Sequence, residues 1–304
     1  MRIVVALGGN ALLKRGQPLT AQAQATALAE VAGLLASVVA NGHQLVITHG
    51  NGPQVGLLAL QSAAGPAVSA LPLDVLGAES EGWIGYAIEI ALRNALPSGS
   101  NLVTLLTQTL VDAKDEAFTH PTKPIGPVYE KGVATRLAEA NNWSVAPDGE
   151  FWRRVVASPK PIGILELASV RLLADAGILV ICTGGGGIPV CMGADQKLMG
   201  LEAVIDKDAT SGLLAEQISA DMFIMLTDVA GVYADYGTTT AHMITRIDPK
   251  ALIEMAASFG IGSMRPKVAA ACHFASMTGR IAAIGALGDL AGIIAGTHGT
   301  IISC

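Results

Sequence analysis

The fold is indicated first by the stretch IVVALGGN at residues 3–10. Five apolar residues, most of them β-branched, are followed at once by two glycines and an asparagine. The same arrangement returns as LVITHGNGP at 45–53, ILVICTGGGG at 178–187 and MFIMLTDVAG at 222–231. Short, continuous apolar runs are typical of strands that are covered on both faces of a sheet.

Apolar runs and alanine-rich helical patterns alternate along the rest of the chain. Strands are predicted at Ile3–Leu7, Leu45–Thr48, Leu102–Leu106, Ile178–Cys182, Met222–Leu226, Ile281–Ile284 and Ile301–Ile302. Helices are predicted at Ala21–Val39, Leu167–Ala176, Lys207–Ser219, Pro249–Ala257 and Lys267–Met277. This alternation predicts an α/β fold with a mainly parallel sheet.

Composition limits the classes of protein to be considered. Of the 304 residues 51% are hydrophobic and 14% are charged, against about 25% charged in an average globular domain. A chain of this kind can bury a large core, which argues against disorder. The net charge is −6 and aromatic residues make up 4%, so the basic surface and stacking side chains that nucleic acids require are not predicted.

No apolar stretch suggests a membrane span, because the longest are interrupted by glycine, proline or aspartate well short of ~20 residues. The run at residues 3–7 is also too short for the core of a signal peptide. The four cysteines form no C-x-x-C pair, so neither a zinc site nor a disulfide framework is indicated. We expect a cytoplasmic protein without membrane contact.

Residues 112–165 are the most polar and proline-rich part of the chain. Such a segment supplies little core of its own, so we expect an inserted lid subdomain over a ligand site. The remainder gives no sign of a linker or a repeat. Residues 1–304 are therefore interpreted as one domain with an insertion at 112–165.

The glycine-rich loops are predicted to converge on an anion. Ligands of parallel α/β sheets bind at the carboxyl ends of strands, where glycine lets backbone N–H groups approach them. Lys207 and Lys267 each stand at the start of a predicted helix, with Pro266 at a first helical position. The helix dipole disfavours a cation there unless an anion lies between them. For any single loop or lysine, a tight turn or a solvated side chain is the alternative.

The common nucleotide and hydrolase motifs do not occur in this sequence. It contains no Gly-Lys dipeptide and therefore no Walker A loop, and no G-x-G-x-x-G. It also lacks H-E-x-x-H and G-x-S-x-G. A P-loop enzyme, a Rossmann dinucleotide site, a zinc protease and an α/β-hydrolase are thus not indicated.

Several longer motifs resemble the amino acid kinase superfamily and, within it, the enzymes that use carbamate. They are ALGGNAL at 6–12, THGNGPQVG at 48–56, PTKPIGP at 121–127, GGGGIPV at 184–190, VIDKD at 204–208, LTDVAGVY at 226–233 and SMRPK at 263–267. Together they span nearly the whole chain in order, and the second and third are the most specific. The resemblance implies a three-layer sandwich of helices around a sheet of about eight strands, with a small protruding lid.

The same resemblance implies reversible phosphoryl transfer between ATP and carbamate, which yields ADP and carbamoyl phosphate with Mg²⁺. The implied catalytic residues are Lys123, Lys207, Asp208 and Lys267. The implied substrate-binding residues are Gly8, Gly9, Asn10, Gly50, Asn51, Gly52, Gly185 and Gly186. The implied nucleotide-binding residues are Lys207, Asp208, Asp228, Val229, Tyr233, Met264 and Lys267. No protein ligands to a metal are implied, and a homodimer is expected.

Phosphoryl transfer needs positioning and charge neutralisation rather than a general base, since carbamate is already anionic. His49 is accordingly interpreted as a hydrogen-bonded turn residue. Arg265 stands where the family usually has glycine, and preceding a proline it is expected to be extended, pointing to solvent or to the phosphates. Two alternatives stay open: a kinase for another small acid, whose amino-acid substrate would need an arginine, and a non-catalytic nucleotide-binding protein.

Overall fold

The computed structural model describes residues 1–13, 17–18, 20–64, 71–255 and 264–304. Its centre is a sheet of eight strands in the order β15-β17-β16-β12-β1-β2-β9-β3. The strands are β1 (Arg2–Leu7), β2 (Gln44–His49), β3 (Leu102–Thr104), β9 (Leu179–Ile181), β12 (Met222–Thr227), β15 (Arg246–Ile247), β16 (Ile281–Ala286) and β17 (Thr300–Ile302). All neighbours are parallel except β16 and β17, which are antiparallel.

Both faces of this sheet are buried, as the continuous apolar runs predict. In β1 the side chains of Ile3, Val5 and Leu7 belong to one hydrophobic cluster. Val4 and Ala6 belong to a second cluster on the other face. Because successive side chains of a strand point to opposite faces, the two clusters are separated by the sheet itself.

Helices cover each face and complete the predicted three-layer architecture. The first face is covered by α2 (Ala21–Ala40), α4 (Leu73–Ala95) and α10 (Leu290–Ile294). The second is covered by α6 (Leu167–Asp175), α7 (Lys207–Gln217), α8 (Pro249–Met255) and α9 (Met264–Thr278). The remaining helices are α1 (Gly9–Leu12), α3 (Gln54–Ala63) and α5 (Lys131–Asn141).

The predicted strands and helices are all present, with ends that differ by a few residues. The last two residues of the predicted helix Pro249–Ala257 lie outside the described residues. The helices that the sequence did not predict are α3, the 23-residue α4, α5 and the short α1 and α10. The start of α9 also differs: it begins at Met264, so Pro266 is its third residue, and Arg265 is helical rather than extended.

A second sheet of four strands extends the structure beside β9. It has the order β11-β10-β4-β8 and consists of β4 (Gln108–Val111), β8 (Pro161–Ile164), β10 (Ile188–Met192) and β11 (Leu198–Gly200). A hairpin, β13 (Val232–Ala234) with β14 (His242–Ile244), follows β12. Strand β10 begins directly after the glycine-rich loop 184–187, which connects this sheet to the central one.

The predicted lid segment contains a separate three-stranded sheet, β5 (Lys123–Tyr129), β7 (Phe151–Val156) and β6 (Ser144–Asp148), with α5 inserted between β5 and β6. The segment also includes β8, which belongs to the four-stranded sheet. The three-stranded sheet touches α3 where two glycines meet, since a Cβ on Gly56 would lie 2.2 Å from the Cα of Gly126. Ile125 and Val156 are buried in a small cluster with α3 and α4.

Among the described residues one helix, α2, is long and apolar enough by length and composition to cross a membrane. In this fold Leu28, Val31 and Leu35 of α2 are buried against the central sheet in the first cluster. The packing of these residues therefore accounts for its apolar character.

Candidate functional site

Four glycine-rich loops lie together at one edge of the central sheet. They follow β12, β1, β2 and β9, which are adjacent in the sheet and parallel to one another. The carboxyl ends of parallel neighbours share an edge, which is where ligands of such sheets bind. Four loops that are distant in the sequence therefore converge, as predicted.

The loop after β1 leads directly into the short helix α1. Gly8 is its extended N-cap residue, and a Cβ there would lie 2.7 Å from the backbone oxygen of Leu226 on β12. Gly9 is exposed, and a Cβ on it would meet nothing within 4 Å. The first N–H groups of a helix have no intrahelical acceptor, so the Gly9 and Asn10 amides suit an anion. The side chain of Asn10 lies outside the described part of the chain.

The loop after β2 is in contact with Lys207. A Cβ on Gly50 would lie 3.2 Å from Cδ of Lys207, so this glycine lets the lysine stem lie against the backbone. Gly52 has a positive φ of 52°. Ser80 Oγ donates a hydrogen bond of 3.0 Å to Asn51 Oδ1, and the Asn51 side chain covers Gly185.

The loop after β9 is buried and tightly packed. Thr183, Gly185, Gly186 and Gly187 all have positive φ. At each of the three glycines another residue occupies the place that a Cβ would take: Asn51 at Gly185, the backbone oxygen of Ile205 at Gly186 and Thr109 at Gly187. The Gly186 N–H donates to Thr183 O. Packing thus gives a sufficient reason for these glycines, and a direct role of Gly185 and Gly186 in substrate binding stays a prediction.

Two lysines share a single buried carboxylate in the second helical layer. Lys207 Nζ donates to Asp208 Oδ1 at 2.7 Å, and Lys267 Nζ donates to Asp208 Oδ2 at 2.8 Å. The side chains are 14%, 6% and 5% exposed for Lys207, Lys267 and Asp208. Two ammonium groups and one carboxylate leave one net positive charge in this group, which suits an anionic ligand.

The protonation states within this group follow from burial and from neighbouring charges. Burial alone would raise the pKa of Asp208, but Lys207 and Lys267 outweigh it and hold the pKa at about 2. Burial lowers the pKa of Lys207, while Asp208 opposes this effect. The neighbouring Asp206 caps α7 by accepting from the N–H groups of Asp208 and Ala209 at 3.0 and 3.1 Å. The cap fixes the helix start that presents Lys207.

Lys123 reaches this group from the three-stranded sheet. Its Nζ donates to Asp206 Oδ2 at 2.8 Å, with the two side chains 25% and 29% exposed. The contact links the predicted lid to the start of α7. Three of the four residues predicted to be catalytic, Lys207, Asp208 and Lys267, are thus in one ion-pair group. The fourth, Lys123, is hydrogen-bonded to Asp206, the N-cap residue of α7.

Besides Lys207, Asp208 and Lys267, the residues predicted to contact nucleotide lie just after β12, on β13 and at the start of α9. Asp228 is exposed, while Val229, Tyr233 and Met264 are half-buried. The Tyr233 ring packs edge-on against Tyr236, with centroids 5.9 Å apart. Arg265 is exposed in the first turn of α9, and Ser263 lies outside the described residues.

A buried carboxyl group, that of Glu81 on α4, was not predicted. Glu81 Oε1 accepts from Thr107 Oγ1 at 2.6 Å and from the Gly184 N–H at 2.8 Å, and Oε2 accepts from the Thr107 N–H at 3.2 Å. Burial raises the pKa of Glu81 to about 8 despite these hydrogen bonds. In the sequence Glu81 is one of several glutamates on a helix, and only the packing of α4 against the loop distinguishes it.

His49, predicted to be a hydrogen-bonded turn residue, is hydrogen-bonded but is the last residue of β2 and is fully buried. Its Nδ1 lies 2.9 Å from the backbone oxygen of Gly50, so this nitrogen carries the proton. Burial lowers the pKa of His49 to about 4. A Cβ on Gly184 would lie 2.5 Å from His49 Nε2 and 2.8 Å from Glu81 Cγ. Only glycine fits between the two side chains.

Comparison with known proteins gives one consistent result. The family model described as the amino acid kinase family matches residues 1–284. The chain is 51% identical to a carbamate kinase of Rhizobium meliloti over 100% of this chain and 93% of that protein. It is 44% identical to a carbamate kinase of Pyrococcus furiosus over 98% of each chain. A solved structure of carbamate kinase from Giardia lamblia bound to AMP-PNP has a TM-score of 0.91 and 38% identity, covering 99% of this chain and 98% of that one.

Proposed function

The chain belongs to the amino acid kinase family, and from that membership we propose that it transfers a phosphoryl group reversibly between ATP and carbamate, giving ADP and carbamoyl phosphate. The observation that supports this most directly is Asp208, which bridges two buried lysines beside the loop at 50–53. The catabolic direction, in which carbamoyl phosphate and ADP yield ATP, is part of the proposal.

In the proposed reaction a carbamate oxygen attacks the γ-phosphorus of ATP, and the bond from that phosphorus to the bridging oxygen breaks to release ADP. Lys207 and Lys267 neutralise the nonbridging oxygens of the group in transfer, and Asp208 keeps both ammonium groups in place. Such preorganised charge is the main means of catalysis for phosphoryl transfer.

The glycine loops supply the backbone donors of this proposal. The N–H groups of Gly8, Gly9 and Asn10 hold the phosphoryl group, and those of Gly50–Gly52 hold carbamate. No general base is needed, and His49 is a weak one because burial lowers its pKa to about 4. The nucleotide lies along Asp228, Val229, Tyr233 and Met264 in the same proposal.

Mg²⁺ is proposed to enter with the nucleotide. No group of three or more His, Cys, Asp and Glu side chains that could hold a metal is found within the described residues. We propose that phosphate oxygens of the nucleotide and water chiefly hold this metal, the usual mode for Mg²⁺ in kinases. Bound there, Mg²⁺ supplies further charge neutralisation to the phosphates.

Residues 112–165 are proposed to act as a lid on a single domain spanning 1–304. Lys123 lies at the start of β5 and contacts Asp206 beside the lysine pair. A lid of this kind excludes water during group transfer. Hydrogen exchange in 112–165 should slow on addition of nucleotide, whereas equal protection in both states would contradict the lid.

A cytoplasmic homodimer completes the proposal, with a second copy of the chain seated on the outer face of α4. That face exposes Val75, Trp83, Tyr86 and Ile90 by 38%, 36%, 64% and 44%. Their spacing places them on one side of the helix. Sedimentation analysis should give twice the mass of the chain, and Tyr86→Lys should favour the monomer.

The alternatives are not favoured. A kinase for an amino acid would need a cationic group for the substrate carboxylate, but the sequence of the loop at 48–56 contains no arginine. A non-catalytic nucleotide-binding protein has no need for two lysines buried on one aspartate.

The proposed function is tested by ATP formation from ADP and carbamoyl phosphate in a coupled assay with Mg²⁺. Rapid ATP formation is expected. Acetylglutamyl phosphate and UDP, tested as phosphoryl donors in place of carbamoyl phosphate, distinguish the other kinases of this family. ADP binding without turnover of any of them would contradict the proposal and favour a regulatory role.

A further inference from the structure

Gln54, the first residue of α3, has a buried amide without a hydrogen-bond partner. The residue is 0% exposed. Neither its Nε2 nor its Oε1 has a partner within the part of the chain that the structure describes. A buried polar group left unpaired is costly, and a protein retains few of them. Two such atoms on one side chain indicate that their partner is a bound molecule.

The amide lies where two of the proposed binding loops meet. A Cβ on Gly52 would lie 2.3 Å from Gln54 Oε1 and 3.7 Å from Leu12 Cδ1. Gly52 belongs to the loop proposed for carbamate, and Leu12 ends the helix that starts at the loop proposed for the phosphoryl group. A group bonded to that phosphoryl must lie between these loops, next to Gln54.

We propose that Gln54 recognises the amino group of the substrate: its Oε1 accepts a hydrogen bond from the carbamoyl N–H, and its Nε2 donates one to a carbamoyl oxygen. The inference rests on the proposed function. A carbamoyl group presents a donor and an acceptor side by side, and the carboxamide of glutamine presents the complementary pair. Acetate has a methyl group where carbamate has its donor, so it leaves the Oε1 unpaired.

The substrate reaches the amide through Gly52. This residue and Pro53 are exposed, while Gln54 directly beneath them is buried. Gly52 has no side chain to remove, so a small displacement of its backbone opens the amide to a ligand. A site built to hydrogen-bond a substrate group rejects an analogue that lacks the group far more strongly than an apolar site does.

The test compares carbamoyl phosphate with acetyl phosphate as phosphoryl donors to ADP. In Gln54→Met, which keeps the length of the side chain but has no amide, the ratio of the two kcat/KM values should fall about 10- to 100-fold. Turnover of acetyl phosphate should change little. Gln217→Met is the matched control. Gln217 also has an unpartnered amide oxygen, but it is the last residue of α7, at the end away from Lys207 and the site. The ratio of this variant should equal that of the wild type.

Thermal unfolding of the same variants gives an independent readout. Because the amide is unpaired without substrate, Gln54→Met should have a Tm equal to or above that of the wild type. An unchanged ratio, an equal loss of both donors, or a variant that no longer folds would each overturn the inference. A wild-type enzyme that uses acetyl phosphate but not carbamoyl phosphate would overturn the proposed function as well, and this result is visible before any variant is made.

Discussion

Asp208 on α7 and Glu81 on α4 are both buried near the carboxyl ends of the central strands. The pKa values of their carboxyl groups are nevertheless shifted in opposite directions. The pKa of Asp208 is held at about 2, whereas that of Glu81 is raised to about 8. Burial acts in the same direction on both. The partners differ: Asp208 accepts from two ammonium groups, whereas Glu81 accepts from neutral donors, the hydroxyl and backbone N–H of Thr107 and the N–H of Gly184.

The difference shows that burial keeps a carboxyl group neutral in this site unless neighbouring positive charges outweigh it. Hydrogen bonds from neutral donors favour the carboxylate but do not offset its desolvation here. The Asp208 group therefore holds net charge that a ligand can use. The Glu81 group holds the loop 184–187 in shape without adding charge to the site.

The largest effect is expected on the charged side of this comparison. Lys267→Ala should lower kcat about 10²- to 10³-fold, the loss typical of one electrostatic donor to a transition state. Lys250→Ala, on the exposed face of α8, is the control and should be normal. Steady-state kinetics should be measured on variants whose circular dichroism is that of the folded wild type. Near-normal turnover of Lys267→Ala would contradict a catalytic role of Lys267.

The acceptor loop is tested by Gly52→Val. A side chain there would collide with Gln54 Oε1, so the KM for carbamoyl phosphate should rise about 10- to 100-fold. Gly42→Val is the control: Gly42 also has a positive φ, but a Cβ on it would meet nothing within 4 Å. If both variants change KM alike, backbone strain explains the result and the loop is only a turn.

A smaller effect is expected at Lys123, which is charged like Lys267 but only half-buried. Lys123→Ala should lower kcat about tenfold through loss of one charge from the closed site. Its pair with Asp206 is partly exposed, so the free energy of unfolding should change by less than about 0.5 kcal/mol. Kinetics and urea unfolding on the same preparation test both. A larger loss of stability without a kinetic effect would assign Lys123 a structural role.

The smallest effect on rate is expected at Glu81, whose substitution should instead change stability. With its pKa raised from 4.5 to about 8, the folded protein holds a proton that the unfolded chain releases. Stability should therefore decline as pH rises through this range, by at most about 1.4 kcal/mol per pH unit. In Glu81→Gln this decline should be absent.

Urea unfolding at pH 5.5, 6.5 and 7.5 measures the slope. Glu79→Gln, an exposed residue of the same helix, is the matched control and should retain the decline. Glu166, whose charge also raises the pKa of Glu81, is unchanged in both. Parallel slopes for Glu81→Gln and the wild type would contradict a neutral Glu81.

The parts of the fold that the sequence predicts well are those with uniform burial. Every strand of the central sheet except the two-residue β15 was predicted, because both faces are apolar. Helix α4 was not, since Gly77, Gly82 and Gly85 weaken its helical pattern. A Cβ on Gly85 would lie 2.4 Å from Thr104 Cγ2, so the packing of α4 on β3 requires a residue that helix propensity disfavours.

The candidate site divides in the same way. Lys207 and Lys267 were singled out because a cation at a helix start is unusual. That one aspartate bonds both lysines depends on how α7 and α9 pack, which is not readable from spacing. Pro266 was expected to begin its helix, but the helix starts two residues earlier because proline is tolerated throughout a first turn, whose N–H groups are unpaired anyway.

Because the backbone of Gly56 lies directly against that of Gly126, a larger residue at position 56 would push α3 and β5 apart. A single added methyl group there would meet main-chain atoms of β5, which cannot rotate away as a side chain can. Gly56→Ala would thus force the three-stranded sheet outward while leaving the lysines and glycine loops chemically intact. Position 126 is less suitable, because its φ of 71° would add strain of its own. A crystal structure of Gly56→Ala should then show the proposed lid displaced from α3.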